Sequence, residues 1–403
     1  MNALLIFGAL VLVAYLLGRV FEVIQLPRIV AYILVGVVAS PNTLSILPET
    51  ILADSDNILS FCLAVITFEV GGELKWENLQ KSRKEILSIT LLASIIPFLL
   101  IVSGYLLVYY FFSSQFNFSE IQDVLAFSLL LAALASPTDP SATLAVIHQY
   151  KFEGKVKDVI LGVAALDDGF GIVLFSLTMS LALLILGGSG SSETGLMIGA
   201  ELILSVLIGV IAGLLFSFVA KYLKISSEGQ WIIVILSAIA ITAGIAQYFE
   251  KDELLSCLVF GLVFSNTSSK SKLVFSVIQR YTEELIFLVF FLLSGFHLKI
   301  FNLQESLLLI VVFVVLRITG KYVGAWTGGK LVHASNSVNK RTGGGLVAQG
   351  GIVIGMALLI TRNPQFDAVS NEVLTVIMGA TIIHEIIGPL LAKRSLEQAI
   401  KEE

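Results

Sequence analysis

Apolar stretches long enough to cross a lipid bilayer recur from the first residues of this chain to the last. One crossing takes ~20 residues, and runs such as LILSVLIGVIAGLLFSFVA (202–220) reach that length with no charge at all. Lipid offers backbone N–H and C=O groups nothing to bond with, so each such run must close its own hydrogen bonds as a helix. Of 403 residues, 56% are hydrophobic and 14% charged, against about a quarter charged in soluble domains. That balance excludes an ordinary soluble enzyme and leaves no room for a soluble domain. A net charge of -5, with Lys and Arg scattered through short loops, carries no nucleic-acid footprint. Cys62 and Cys257 both sit in apolar runs, without the spacings of a disulfide framework or a metal site.

Reading the apolar runs against polar breaks predicts an all-α polytopic membrane protein. Its thirteen transmembrane helices fall at 3–24, 28–47, 57–73, 85–112, 121–148, 156–186, 195–221, 230–249, 253–267, 281–297, 304–330, 342–361 and 372–392. Loops that stay in the cytoplasm are enriched in Lys and Arg. Lys75, Lys81, Arg83 and Lys84, then Lys151, Lys155 and Lys157, then Lys270, Lys272 and Arg280, and finally Lys393, Arg394 and Lys401 all fall on one face of this arrangement. The other face receives only Lys251, Lys299 and Arg362. The asymmetry predicts an N-terminus outside and a C-terminus in the cytoplasm.

The chain also repeats itself. GGELKWENLQ (71–80) aligns with GFHLKIFNLQ (295–304), YILVGVVAS (32–40) with CLVFGLVFS (257–265), and LDDGFGIVLF (166–175) with IHEIIGPLLA (383–392). The third crossing thus matches the tenth and the sixth the thirteenth. Seven crossings intervene, an odd number, so the copies, approximately 1–186 and 230–394, are inserted upside down relative to each other. Inverted repeats characterise secondary transporters, whose substrate site lies near the midplane where discontinuous helices of the two repeats meet.

Ionisable groups inside a membrane span are expensive, so they mark function by default. In LASPTDPSATLAVIHQY (134–150), Asp139 stands nine residues before His148, ~13 Å along a helix. Pro137 and Pro140 should interrupt that helix and free carbonyls near Ala133 and Ser136. Those carbonyls, Ser136, the Thr138 hydroxyl and the Asp139 carboxylate are hard donors that suit an alkali cation; Asp139 either joins them or caps the second half-helix. In GVAALDDGFGIVLF (162–175), Asp167 and Asp168 project ~100° apart, so one can face a cavity while the other meets a partner. A buried acid that takes either a proton or a metal cation is the core of an exchanger. Arg317 and Lys321, four residues apart, share a helix face, and one of them should balance Asp167; the other reading of Lys321 is a side chain reaching out to water. Gly320, Gly324 and Gly328 form a ladder for close helix approach. Gly350 and Gly351 suit a second broken helix, crossing the one at Asp139, with Gln349 as a polar gate or a helix–helix hydrogen bond. His384 and Glu385 fall opposite Asp167 and Asp168 in the repeat, Glu385 near the inner surface and His384 a candidate pH sensor. Glu69 and Glu73 close the third crossing.

Together, TDP at 138–140, DDGFGIVLF from 167, RITGKYVGA from 317 and the helix ends VGGEL (70–74) and LSGFHL (293–298) make this chain resemble the sodium/proton antiporters of the monovalent cation/proton antiporter superfamily. The resemblance covers nearly the whole chain. It implies a core domain with two crossed discontinuous helices, within 57–186 and 281–394, and a dimerisation domain within 1–47 and 195–267. It further implies a plasma-membrane homodimer exchanging Na+ or Li+ for H+ by an elevator-like movement, without a cofactor and without enzymatic turnover. By motif position Asp168 matches the cation- and proton-binding aspartate, Asp167 its neighbour, Thr138 and Asp139 the interrupted helix, and Arg317 the basic residue. The Asp-Asp pair resembles the electrogenic branch, whereas TDP and an arginine resemble the electroneutral one, so stoichiometry stays open. K+/H+ exchange is the nearest alternative; a cation channel and a membrane enzyme using the Asp pair are more distant ones.

Overall fold

The computed structural model describes residues 3–23, 28–40, 43–44, 49–74, 82–116, 118, 120–139, 143, 146–147, 152–187, 192–223, 225, 227–296 and 306–402. It is helical nearly throughout. The α-helices are α1 (Ala3–Val23), α2 (Arg28–Ala39), α3 (Glu49–Glu73), α4 (Arg83–Phe112), α5 (Ile121–Leu134), α6 (Lys155–Leu186), α7 (Ser192–Tyr222) and α8 (Glu228–Tyr248). They continue with α9 (Glu253–Thr267), α10 (Ser271–Tyr281), α11 (Glu283–Phe296), α12 (Leu307–Leu331), α13 (Asn336–Arg341), α14 (Gly351–Thr361) and α15 (Asp367–Glu402). A short 3-10 turn, Thr342–Leu346, prolongs α13. Among the described residues seven helices are long and apolar enough to cross a membrane alone, and an eighth span arises if the bent pair Asn336–Leu346 and Gly351–Thr361, at 53°, counts as one. Each of the thirteen predicted segments overlaps a described helix, but the helix within 28–47 is described only to Ala39, that within 121–148 only to Leu134, and 342–361 is interrupted at 347–350. The segment expected to start at 281 is preceded by a separate helix, α10, whose Lys272, Gln279 and Arg280 are exposed while Val274, Phe275, Val277 and Ile278 are buried.

Packing divides the chain into two units, Met1–Trp76 with Ser191–Ile300 and Glu77–Gly190 with Phe301–Glu403. This grouping puts α3 and α11 in the first unit, whereas the sequence reading placed 57–73 and 281–297 among the site-bearing helices. Inside the first unit the repeat reappears as matched helix crossings. A Cβ at Gly36 on α2 would lie 2.1 Å from the Leu292 carbonyl oxygen and 2.9 Å from Gly295 Cα on α11. Their repeat counterparts, Gly261 on α9 and Gly71 on α3, mirror this, each 2.0 Å from a main-chain oxygen of the other helix, Phe68 O and Leu258 O. A duplicated pair of helices has kept its backbone-to-backbone contact in both copies. The polar ends of this repeat, 75–80 and 297–304, lie outside the described residues.

In the second unit α12 packs along α4 on its glycine ladder. A Cβ at Gly320, Gly324 or Gly328 would stand 2.5, 2.5 and 2.7 Å from the Cα atoms of Pro97, Ala93 and Ile89. Without a hydrophobic drive inside lipid, such dispersion contact holds helices together. Gly324→Val therefore forces α4 and α12 apart at a point where backbone cannot yield. We expect it to lower stability by ~1–3 kcal/mol, read as a reduced melting temperature in detergent, whereas the same change at Gly229, with nothing within 4 Å of its Cβ position, leaves packing intact.

Candidate functional site

Two helix interruptions in the second unit create the site. Helix α5 stops at Leu134, and residues 135–139 continue without helix; the Ala135 and Ser136 N–H groups fall back on Ala132 O and Ala133 O at 3.2 and 3.3 Å. Ala133 thus keeps an internal partner, and the carbonyls actually released are those of Leu134, Ala135, Ser136 and Pro137. The rest of the predicted 121–148 crossing, Pro140 and His148 included, lies largely outside the described residues. The second interruption, 347–350, separates the 3-10 turn from α14. The breaks touch: the Asp139 N–H donates to Ala348 O at 3.1 Å and the Thr138 hydroxyl reaches Leu346 O at 3.2 Å.

Arg317, fully buried on α12, fastens both. Its Nε donates to Ala135 O at 3.0 Å, and its terminal nitrogens donate to Val347 O at 2.6 Å, Pro137 O at 2.7 Å and Ala348 O at 3.4 Å. A guanidinium suits this task because its five N–H groups radiate in one plane. Of the carbonyls expected to be free, Ala133 O accepts the Ser136 N–H and Ser136 O accepts from Lys321, while Arg317 takes the adjoining Ala135 and Pro137 carbonyls. Gln349 adds a further tie, its Nε2 donating to Leu134 O at 2.9 Å.

Lys321, one turn after Arg317 and also fully buried, is the partner of Asp167. Its ammonium contacts both the Asp167 carboxylate and Ser136 O, so it does not run out to water. Asp167, 0% exposed, also accepts from Ser94 Oγ at 2.7 Å, Ser136 Oγ at 3.3 Å and Thr138 Oγ1 at 2.7 Å. Three hydroxyl donors and a cation surround it. Asp168 projects from the same helix at a different azimuth and is only partly buried; its Oδ1 accepts the Thr138 N–H at 3.2 Å. Adjacent carboxylates are thereby given unlike surroundings, one locked and one accessible.

Asp139 is 8% exposed and lies against the start of α14, where a Cβ on the N-cap residue Gly350 would be 3.0–3.4 Å from its side chain. Glycine at 350 is what admits it. Glu385, on α15, is 2% exposed and lies near the Asp139 carboxyl group. His384, also buried, packs edge-on to Phe313 with ring centroids 6.2 Å apart. Glu69 belongs to the other unit, with Glu73 and Glu283 as its acidic neighbours. Ser94 was not singled out from sequence; its only signal is a hydroxyl in the middle of the apolar run LLASIIPF (91–98).

Buried carboxyl and cationic groups clasped between two interrupted helices of a polytopic membrane chain define a cation-coupled secondary transporter. The chain belongs to the sodium/hydrogen exchanger family: the model described as "Sodium/hydrogen exchanger, transmembrane" matches residues 8–396. It is 26% identical to the K(+)/H(+) antiporter subunit KhtU of Bacillus subtilis (strain 168), over 96% of this chain and 92% of that one. Identity to the Na(+)/H(+) antiporter NhaH of Halobacillus aidingensis is 21% over 92% of each chain. The fold matches that of the sodium proton antiporter MjNhaP1 from Methanocaldococcus jannaschii, with a TM-score of 0.74 at 15% identity, covering 99% of this chain and 100% of that one. The protein is thus a membrane antiporter of a monovalent cation, Na+ or K+, against protons, and a transporter rather than an enzyme.

Proposed function

We propose that this protein exchanges Na+, or Li+, for H+ across the plasma membrane, and that Asp168 binds the cation and the proton in turn. The observation that carries this reading is the contrast between the two aspartates. Asp167 is neutralised by Lys321 and saturated by hydroxyl donors, and Arg317 is spent on main-chain carbonyls. Asp168, partly exposed beside the first break and receiving the Thr138 N–H, alternates between proton and metal ion. An anion in a low-dielectric site favours one positive charge at a time, so loading one ion displaces the other.

In this reading thirteen crossings place the N-terminus outside and the C-terminus in the cytoplasm. The broken helices cross, and the core carries the ion between membrane faces by an elevator-like alternating access while helices within 1–47 and 195–267 form a homodimer. A second reading, K+/H+ exchange, is favoured by the likeness to KhtU along 96% of the chain. Currents on solid-supported membranes with Na+, Li+ and K+ at two pH values decide between them. We expect saturable responses to Na+ and Li+ that shrink as protons compete at the lower pH. A response to K+ alone would replace the first reading by the second, and flux that neither saturates nor depends on pH would overturn both.

A further inference from the structure

We propose that the seam between α4 and α12 binds an anionic phospholipid, its phosphate held by Arg83, Lys84 and Lys330 and its acyl chains laid along the exposed stripes of the two helices. The register of the seam is fixed by close contacts: Ile89 stands against Gly328, Ala93 against Gly324 and Pro97 against Gly320, and Ser88 Oγ donates to Gly328 O at 2.8 Å. The helices are therefore antiparallel, and the start of α4 meets the end of α12. That register sets Lys330 opposite Leu87, so Lys84 lies only ~4.5 Å further along the axis. Arg83, Lys84 and Lys330 are all exposed and stand at one level of the membrane.

Two observations point to a lipid. First, these cations are not neutralised by the protein. Among the described residues Lys155 pairs with Glu85 at 2.7 Å and Lys157 with Asp158 at 3.6 Å, whereas no salt bridge includes Arg83, Lys84 or Lys330. Like charges gathered at one end of a seam repel each other unless an anion sits among them. Second, Trp326, one turn before Lys330, is 41% exposed, against 4% for Trp231, and the Lys330 ammonium lies 4.1 Å from its ring centroid. An amphipathic indole with a cation over its face belongs at the headgroup level of a bilayer. Beyond it the surface is apolar: Leu87, Leu91 and Ile95 on α4 and Val315 and Val323 on α12 are exposed. A basic cluster at the end of such a stripe fits a phospholipid, headgroup on the cations and tails on the stripe; a soluble phosphate would use only half of it. Ser94 of α4 donates to Asp167, and α12 carries Arg317 and Lys321. The lipid therefore clips together two helices that build the ion site, whichever residue there carries the ion.

The test adds phosphatidylglycerol or phosphatidylcholine with brominated acyl chains, which quench tryptophan on contact, to the purified full chain in mixed micelles. The signal is the fluorescence that Trp326→Phe removes, which sets aside the other two tryptophans. We expect brominated phosphatidylglycerol to quench it at about one-tenth of the concentration that brominated phosphatidylcholine needs. The advantage should fall to within about twofold when Arg83→Gln, Lys84→Gln and Lys330→Gln are combined. The triple variant Lys221→Gln, Lys270→Gln and Lys272→Gln removes the same charge from exposed positions of the other unit and should keep the tenfold preference, as should Lys330→Arg alone. Equal quenching of the parent by both lipids, the result if a second copy of the chain covers the seam, would overturn the proposal. So would a preference that survives the first triple variant, or one that the second triple variant loses equally. Quenching reversed by millimolar glycerol phosphate would assign the cations to a small soluble anion and overturn it as well.

Discussion

Asp168→Asn is expected to abolish cation-driven proton movement in everted vesicles while the protein still inserts, and melts within a few degrees of the parent. Asparagine keeps the shape of the side chain and can still accept the Thr138 N–H, which now meets Asp168 Oδ1 at 3.2 Å. What disappears is the negative charge. A metal ion entering the site would then be an uncompensated charge inside the membrane, disfavoured by ~2.5–3.5 kcal/mol on insertion scales, about two orders of magnitude in occupancy. Proton binding is lost altogether, because an amide does not titrate in this range. Coupled flux within tenfold of the parent would remove Asp168 from the mechanism. Retained thermal stability distinguishes a lost ion site from a lost fold.

Lys321→Leu should act in the opposite way, through folding. Lys321 and Asp167 are both 0% exposed, and breaking a buried pair from one side leaves a bare charge at a cost of ~3–5 kcal/mol. The Ser136 carbonyl loses its ammonium donor at the same time. We expect a sharply lowered melting temperature and poor membrane yield. Adding Asp167→Asn should restore most of the stability, since the hydroxyls of Ser94 and Thr138 can still bond to a neutral amide once no orphan charge remains. A double variant no more stable than Lys321→Leu alone would show that the pair is not what the lysine stabilises.

These two expectations differ because neighbouring aspartates were assigned different partners, and that assignment was only half legible beforehand. DD at 167–168 announced two carboxylates at different azimuths of one helix, one for a partner and one for a cavity. Two candidate cations four residues apart could not be ranked, because both lie on the face of α12 that meets the breaks. Arg317 reaches the carbonyls released near Pro137 and Gly350, and Lys321, one turn on, meets Asp167. Glu385 is buried near Asp139; spacing along α15 says nothing about which chain segment comes to lie beside it. Ser94 had no motif around it and becomes part of the site only because α4 packs against α12 and α6.

Sequence alone determined the helical membrane character, the two interruptions and the identity of the buried charged side chains. Lipid imposes those locally: an unbonded peptide group or a lone charge is penalised wherever it occurs, so proline, glycine and each ionisable residue stand out within a single apolar run. Tertiary structure alone decided who neutralises whom. The contacts join positions such as Arg317 with Ala135, 182 residues apart, and Lys321 with Asp167, 154 apart. At such separations, pairing depends on the register of one helix against another, which is set by how their side chains and glycines interlock.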